Sequence, residues 1–244
     1  MVSRKALLNN GFGPLGGPDT PFRIAAILVL VGCFRFLTQR QIERFLFNGT
    51  LSSASRRVIV GRLLQRLVNA RLLKRFRHER QYLYTMKIPQ GPLHLIHDLK
   101  TADVALAFVE DARKRGHQVA EATMFLDFKT VKPDLFLIYE TEEEYVYSFV
   151  ETDMGTATAR EWYEKAARYR RLRESREWQV SLDVWPKLLV VTTSESREKL
   201  LAKVTLEADP KEVYRFSTFA QVLEQGPTGR IWSSAMQADR AGLL

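Results

Sequence analysis

The sequence predicts an α/β protein in two parts: an N-terminal helical module with a small hairpin, and a C-terminal module on a mixed central sheet. Three observations predict it. Charge separates along the chain: residues 1–90 carry 16 Lys and Arg against 3 Asp and Glu, whereas residues 91–244 carry 21 against 25. A diffuse solubility charge does not divide in this way, and a strongly basic part attracts polyanions through counterion release. Before residue 70 the apolar residues recur at helical spacing, and short strand-like runs follow. Beyond a stretch with two prolines and a glycine at 87–92, helical and strand-like segments alternate, as in chains that cover a sheet with helices. A length of 244 residues, 45% of them hydrophobic, allows one large domain or two small ones.

Residues 1–18 hold four glycines and two prolines and are expected to form a flexible arm. Asp19 or Thr20 is placed to cap a helix with Pro21 at its first position, where the missing N–H is harmless, and that helix is expected to run to about Gly32. Thr38-Gln39-Arg40-Gln41 has the form of a capping box and predicts a second helix to Phe47, ended by Asn48-Gly49. Ser52 or Ser53 caps a third, in which Val60, Leu63, Leu64 and Leu67 share one face and Arg62, Gln65, Arg66 and Asn69 the other. Leu72–Phe76 and Gln81–Thr85 read as strands around a polar Arg77–Arg80. A helix with a basic face followed by a basic hairpin is the pattern of a winged helix-turn-helix domain, here over 19–88. Its expected DNA-binding residues are Ser55, Arg56, Arg57, Arg62, Arg66, Arg75, Arg77 and Arg80. Between Arg56 and Arg77 there are eight basic residues and no acidic one, which argues against ordinary salt-bridge lacing of a solvated face.

Residues 89–92 are the expected linker, 93–222 the second domain and 223–244 a loosely ordered tail. In the second domain a helix runs from Leu93 to Arg115 and stops at Gly116. Strands are expected at Ala122–Lys129, Leu135–Tyr139 and Tyr145–Val150, then a helix over Thr156–Trp178. The very apolar Leu188–Thr192 is a candidate central strand. A helix over Ser194–Val204 and an edge strand over Val213–Phe219 complete the pattern.

Several classes are set aside. One cysteine, Cys33, excludes an intramolecular disulfide, and with nothing resembling a secretory signal the expected compartment is the reducing cytoplasm. Ile24–Val31 is too short to span a bilayer, which takes about 20 apolar residues. No glycine-rich phosphate loop occurs, so no nucleotide cofactor is expected. His94 and His97 lack partners at zinc-site spacing and read as structural or domain-interface residues.

One constellation suggests chemistry. Glu121 precedes the first expected strand of the second domain, Pro133-Asp134 opens the next, and Glu151-Thr152-Asp153 ends the third. Carboxylates at neighbouring strand ends can converge, repel one another and favour a hard divalent cation such as Mg²⁺ or Mn²⁺. Such a metal lowers the pKa of a bound water, and a nearby lysine orients that water. The bland alternative is that Asp134 and Glu151 face water or pair with Lys129 and Lys132, and that Lys165 pairs with Glu161 four residues away.

Proline-aspartate, a strand, then Glu151 with a residue two further on resembles the PD-(D/E)xK superfamily, the restriction-endonuclease-like fold. The resemblance implies metal ligands at Asp134 and Glu151, with Glu121, Asp153 and Lys165 completing the catalytic set. Asp153 stands where the pattern has lysine. In that superfamily the following helix sometimes supplies the lysine, which makes Lys165 the candidate. Lys165 and Tyr169 lie four apart and resemble the QxxxY helix of helicase-associated exonucleases. The whole layout, over roughly 20–205, is similar to the replication-relaxation family of plasmids and integrative elements, through Arg35-Phe36-Leu37-Thr38, Ser55-Arg56-Arg57, Leu63 to Leu73, His97-Asp98, Glu121, Pro133-Asp134 and Glu151 to Thr156. It implies a DNA-binding protein of plasmid or mobile-element replication or mobilisation. Its nuclease-like domain either cleaves DNA with Mg²⁺ or Mn²⁺, or is a degenerate scaffold for dimerisation or recruitment. The partners expected are DNA, a second copy of the chain, and replication or mobilisation proteins.

Overall fold

The computed structural model describes residues 20–47, 51–87, 92–124, 126–211, 213–236 and 239–244. The expected arm, Asp19, the Asn48-Gly49 stop, nearly all of the linker and the His94 side chain lie outside the described residues. The chain forms two compact units, Met1–Glu121 and Ala122–Leu244.

The first unit begins with helix α1 (Thr20–Phe34), two residues longer than expected. A short strand β1 (Leu37–Thr38) leads into α2 (Gln39–Leu46), and α3 (Ser53–Asn69) follows. Thr38 and Gln41 form the expected capping box: Gln41 N–H donates to Thr38 Oγ1 at 3.1 Å, and Thr38 N–H donates to Gln41 Oε1 at 2.9 Å. Ser52 caps α3 by accepting from Ser55 N–H at 3.1 Å. Val60, Leu63, Leu64 and Leu67 are the buried residues of α3, as their spacing requires.

Strands β2 (Lys74–His78) and β3 (Gln81–Thr85) pair antiparallel, and β1 adds to the other edge of β3, giving the order β1-β3-β2. The hairpin turns on Glu79 and Arg80 alone, with Glu79 in the left-handed region at φ 51°. Tight two-residue hairpin turns need positive φ, which the right-handed twist of the strands imposes.

Helix α4 (Pro92–Arg115), expected at the head of the 93–222 domain, makes several polar contacts with α2. Gln41 Nε2 donates to Leu99 O at 3.1 Å and to Asp103 Oδ1 at 2.8 Å. Arg44 holds Glu110 through two bonds of 2.8 and 2.6 Å. Arg113 reaches across to the C-terminal carbonyls of α2, donating to Arg44 O at 2.8 Å and Phe45 O at 2.5 Å. Burial pushes the Arg113 guanidinium down to about 10. Arg113→Met leaves those acceptors without a donor and is expected to destabilise the first unit by about 3 kcal/mol, on the basis of about 1–3 kcal/mol per stranded buried group. Chemical denaturation checks this, and a loss below about 1 kcal/mol would contradict it.

Gly116, at φ 74°, ends α4 and β4 (Gln118–Thr123) begins two residues later. This corrects the expected strand over 122–129. Residues 127–130 instead turn sharply: Asp127 accepts from Lys129 N–H at 2.8 Å and Lys129 adopts φ 65°. Glu121 therefore lies inside a strand and not before one.

The sheet has the order β4-β5-β6-β7-β8, with β5 (Leu135–Glu140), β6 (Tyr145–Thr152), β7 (Lys187–Thr192) and β8 (Tyr214–Thr218). The β5–β6 hairpin is antiparallel, and β6–β7 and β7–β8 are parallel. The parallel steps require crossovers, supplied by α5 (Ala159–Ser175) and α6 (Glu195–Ala208). Helix α5 is shorter than expected, because Arg176 turns left-handed at φ 59° and a 3₁₀ turn over Glu177–Val180 follows. One core joins Phe136, Phe149, Leu188 and Phe216 of the sheet to Trp162, Tyr169 and Leu172 of α5 and Leu201 of α6.

The segment after Gln225 corrects the expectation of a loose tail. It follows a short helix α7 (Phe219–Gln225), buries Ile231 and Trp232 completely, and pairs Phe216 with Ser233 and Trp232 with Ala241. Trp232 carries the largest side chain among the fully buried residues, and its N–H donates to Pro227 O at 2.6 Å. Apolar burial of that size orders a segment that lacks helical or strand periodicity.

Candidate functional site

In the second unit, the antiparallel register runs Leu135 opposite Val150, so its continuation sets Asp134 opposite Glu151. Along β6, Tyr147, Phe149 and Glu151 alternate onto the face that α5 covers. On α5, Trp162, Lys165, Ala166, Tyr169 and Leu172 recur at helical spacing. Lys165 and Tyr169 thus project from the core-facing stripe toward Glu151. Lys165 Nζ pairs with Glu151 Oε2 and stands 3.8 Å from Asp134 Oδ2. Tyr169 donates its hydroxyl proton to the other Glu151 oxygen. Asp134 Oδ2 accepts from Thr152 N–H at 2.8 Å and from Thr152 Oγ1 at 3.3 Å.

Glu151 is only 2% exposed. Burial and the neighbouring Asp134 carboxylate push its carboxyl up to about 8, against the downward pull of Lys165. Burial works against the Lys165 ammonium, yet Glu151 and Asp134 outweigh it and hold it above its ordinary value. Burial beside Glu151 raises the Tyr169 hydroxyl well above the usual range, so it remains a donor.

Asp153 has other partners. Arg197 grips it with two bonds of 2.9 Å, and Thr192 Oγ1 donates to it at 2.7 Å. Burial raises its carboxyl, but these partners outweigh burial and hold it below the ordinary value. Arg197 also donates to Ala157 O at 2.6 Å, so the pair braces the loop that enters α5. Glu161, the local alternative partner for Lys165, instead caps α5, accepting from Thr158 N–H at 2.6 Å. Lys132 pairs with Asp127 at 2.7 Å, which removes it as the partner of the acid pair. The second unit thus brings Asp134, Glu151 and Lys165 together and turns Asp153 toward Arg197, whereas Glu121, the last residue of the first unit, is half-buried on β4. Among the described residues no group of three or more His, Cys, Asp or Glu is arranged to hold a metal ion. Sequence reasoning missed Arg197, which has no motif around it.

In the first unit, Arg57, Arg62 and Arg66 of α3 are exposed and Arg56 is half-buried. Among the described residues these four arginines have no ion pair; pairs of the first unit elsewhere include Arg44 with Glu110, Arg115 with Asp111, and Arg35 with Asp98. Ser55 belongs to the α3 cap, its hydroxyl 2.9 Å from that of Ser52. Arg75 donates to Gln65 at 3.2 Å and lies 4.7 Å over the Tyr82 ring. Arg77 donates to Glu79 O at 3.3 Å, and Arg80 is exposed at the turn. The basic residues of α3 and the hairpin therefore lie on the surface of one unit.

Residues 84–188 match the model of the replication-relaxation family. The matched stretch runs from the end of β3 to the start of β7 and contains Glu121, Asp134, Glu151, Asp153 and Lys165. It is narrower than the 20–205 over which the motifs suggest the resemblance, and it leaves α1 to α3 outside. No curated protein and no solved structure matches the chain. No helix among the described residues is long and apolar enough to cross a membrane.

Proposed function

We propose that this chain is a DNA-binding protein of plasmid or mobile-element replication or mobilisation, with a winged helix in its first unit and a PD-(D/E)xK-type centre in its second. The replication-relaxation match supports the setting. The helix and strand order of the first unit, with its two-residue hairpin turn and α3 arginines that have no acidic partner among the described residues, supports the winged helix and its DNA ligand. The observation that carries the nuclease reading is the Lys165 ammonium beside both Asp134 and Glu151. A lysine from the following helix thereby takes the part of the one absent at Asp153.

The donor set suits Mg²⁺ or Mn²⁺. Two hard carboxylates are what such ions take from a protein when phosphate oxygens of a substrate complete the shell. Bound there, the metal would supply a more acidic water and charge stabilisation at the phosphorus. Thr152 holds Asp134 in place, Tyr169 fixes the rotation of Glu151, and Lys165 keeps a positive charge at the acid pair. A second reading, a non-catalytic scaffold for dimerisation or partner recruitment, is favoured by the near-complete burial of Glu151 with both its oxygens engaged.

Incubation with supercoiled plasmid in Mg²⁺ and Mn²⁺ separates the two. Nicked or linear product from the wild type, and none from Asp134→Ala/Glu151→Ala, is the expected outcome. Intact plasmid that nonetheless shifts in a gel would decide for the scaffold.

A further inference from the structure

The first unit has a groove of about 1010 Å³ between the start of α2, the start of α3 and the hairpin turn. That volume lies at the upper end of the roughly 300–1,000 Å³ of small-molecule sites. Arg40, Arg56, Arg57 and Arg80 line it, and none of the four has an ion-pair partner among the described residues. Arg44 lines it too, but is held by Glu110 at 2.6 Å, and Glu43 accepts from Gln39 at 2.9 Å. The groove therefore has an excess of positive charge.

Its wall also carries Tyr82, which is 49% exposed. Arg75, which does not line the groove, covers one face of that ring at 4.7 Å. Alternation along β3 places Tyr82 and Tyr84 on one side of the strand, yet Tyr84 is buried and Tyr82 is not. An aromatic ring backed by a guanidinium and bordered by arginines is a stacking platform for a base, with positions for the phosphates on either side. Paired bases inside a duplex are already stacked, so only an unpaired nucleotide offers a free face. Arg62 and Arg66 do not line the groove and present a separate basic surface for duplex backbone.

We infer that the groove takes an unpaired DNA nucleotide stacked on Tyr82, so that the first unit prefers duplex interrupted by single strand over intact duplex. This inference rests on the DNA-binding reading above. Fluorescence anisotropy of the full chain with an intact duplex and a gapped duplex of equal length tests it, with 2-aminopurine in the gap as a stacking reporter. The wild type is expected to bind the gapped DNA about tenfold more tightly and to quench the reporter. Tyr82→Phe is expected to retain both effects, and Tyr82→Ala to lose both while binding intact duplex as before. Equal affinity for the two DNAs, an unquenched reporter with the wild type, or a preference that survives Tyr82→Ala would overturn the inference and leave DNA binding standing. Failure to bind either DNA would overturn both.

Discussion

Lys165→Met is expected to destabilise the second unit by about 3–5 kcal/mol at pH 9, the scale for breaking a buried ion pair from one side. Without the ammonium, the Glu151 and Asp134 carboxylates face each other with no cation between them, and Glu151 has no route to solvent. The effect depends on pH in a defined direction. The folded Glu151 carboxyl, at about 8, lies above its ordinary 4.5, so the folded state holds a proton that the unfolded state releases. The contribution of Glu151 to stability therefore falls as pH rises from about 4.5 to about 8 and levels off above, in the wild type. Lys165 pulls Glu151 downward, so its removal moves the folded value higher still and the decline continues past pH 8. Lys165 itself, raised above its usual value, contributes undiminished stability throughout this window. The deficit of the variant should thus be larger at pH 9 than at pH 6. Adding Glu151→Gln should recover much of it, since the stranded charge is then gone. Urea denaturation at the two pH values measures both, and a variant as stable as wild type at pH 9 would refute the role assigned to Lys165.

Arg62→Ala/Arg66→Ala is expected to weaken duplex DNA binding by about 10- to 100-fold at low salt. It should also lower the slope of log affinity against log salt by about 2, close to one for each phosphate that an arginine no longer neutralises. Both side chains are exposed on α3 without acidic partners among the described residues, so the folded state does not depend on them. The melting temperature should change by no more than a degree or two. Unchanged affinity in the double variant would remove α3 as the DNA-contacting element.

Much of the local structure is legible in the residues. The Thr38 capping box, the Ser52 cap, the apolar stripe of α3 and the stop at Gly116 all involve groups close together along the chain, and the structure has each of them. The first strand of the sheet is the exception. Ala122–Lys129 looks strand-like, but Asp127 closes a turn with Lys129 and the strand falls over Gln118–Thr123. A side chain accepting from a backbone N–H two residues on can outweigh intrinsic strand preference. The tail shows the same limit from the other side. Trp232 has no periodic neighbours, and only its complete burial gives it a place.

The candidate centre divides along the same line. Chain order alone determines that Asp134 and Glu151 end adjacent strands, because a hairpin with a short turn brings residues together in a fixed register. It likewise determines that Lys165 and Tyr169 share a face, since helical geometry sets that spacing. Which partner each residue takes was decided by the crossover from β6 through α5 to β7. That path lays Lys165 on Glu151 and not on Glu161, four residues away, and the next crossover, through α6, brings Arg197 to Asp153 from 44 residues further on. Periodicity describes the direction of a side chain within its own element, whereas an ion pair depends on how two elements pack, and packing is a property of the whole buried surface.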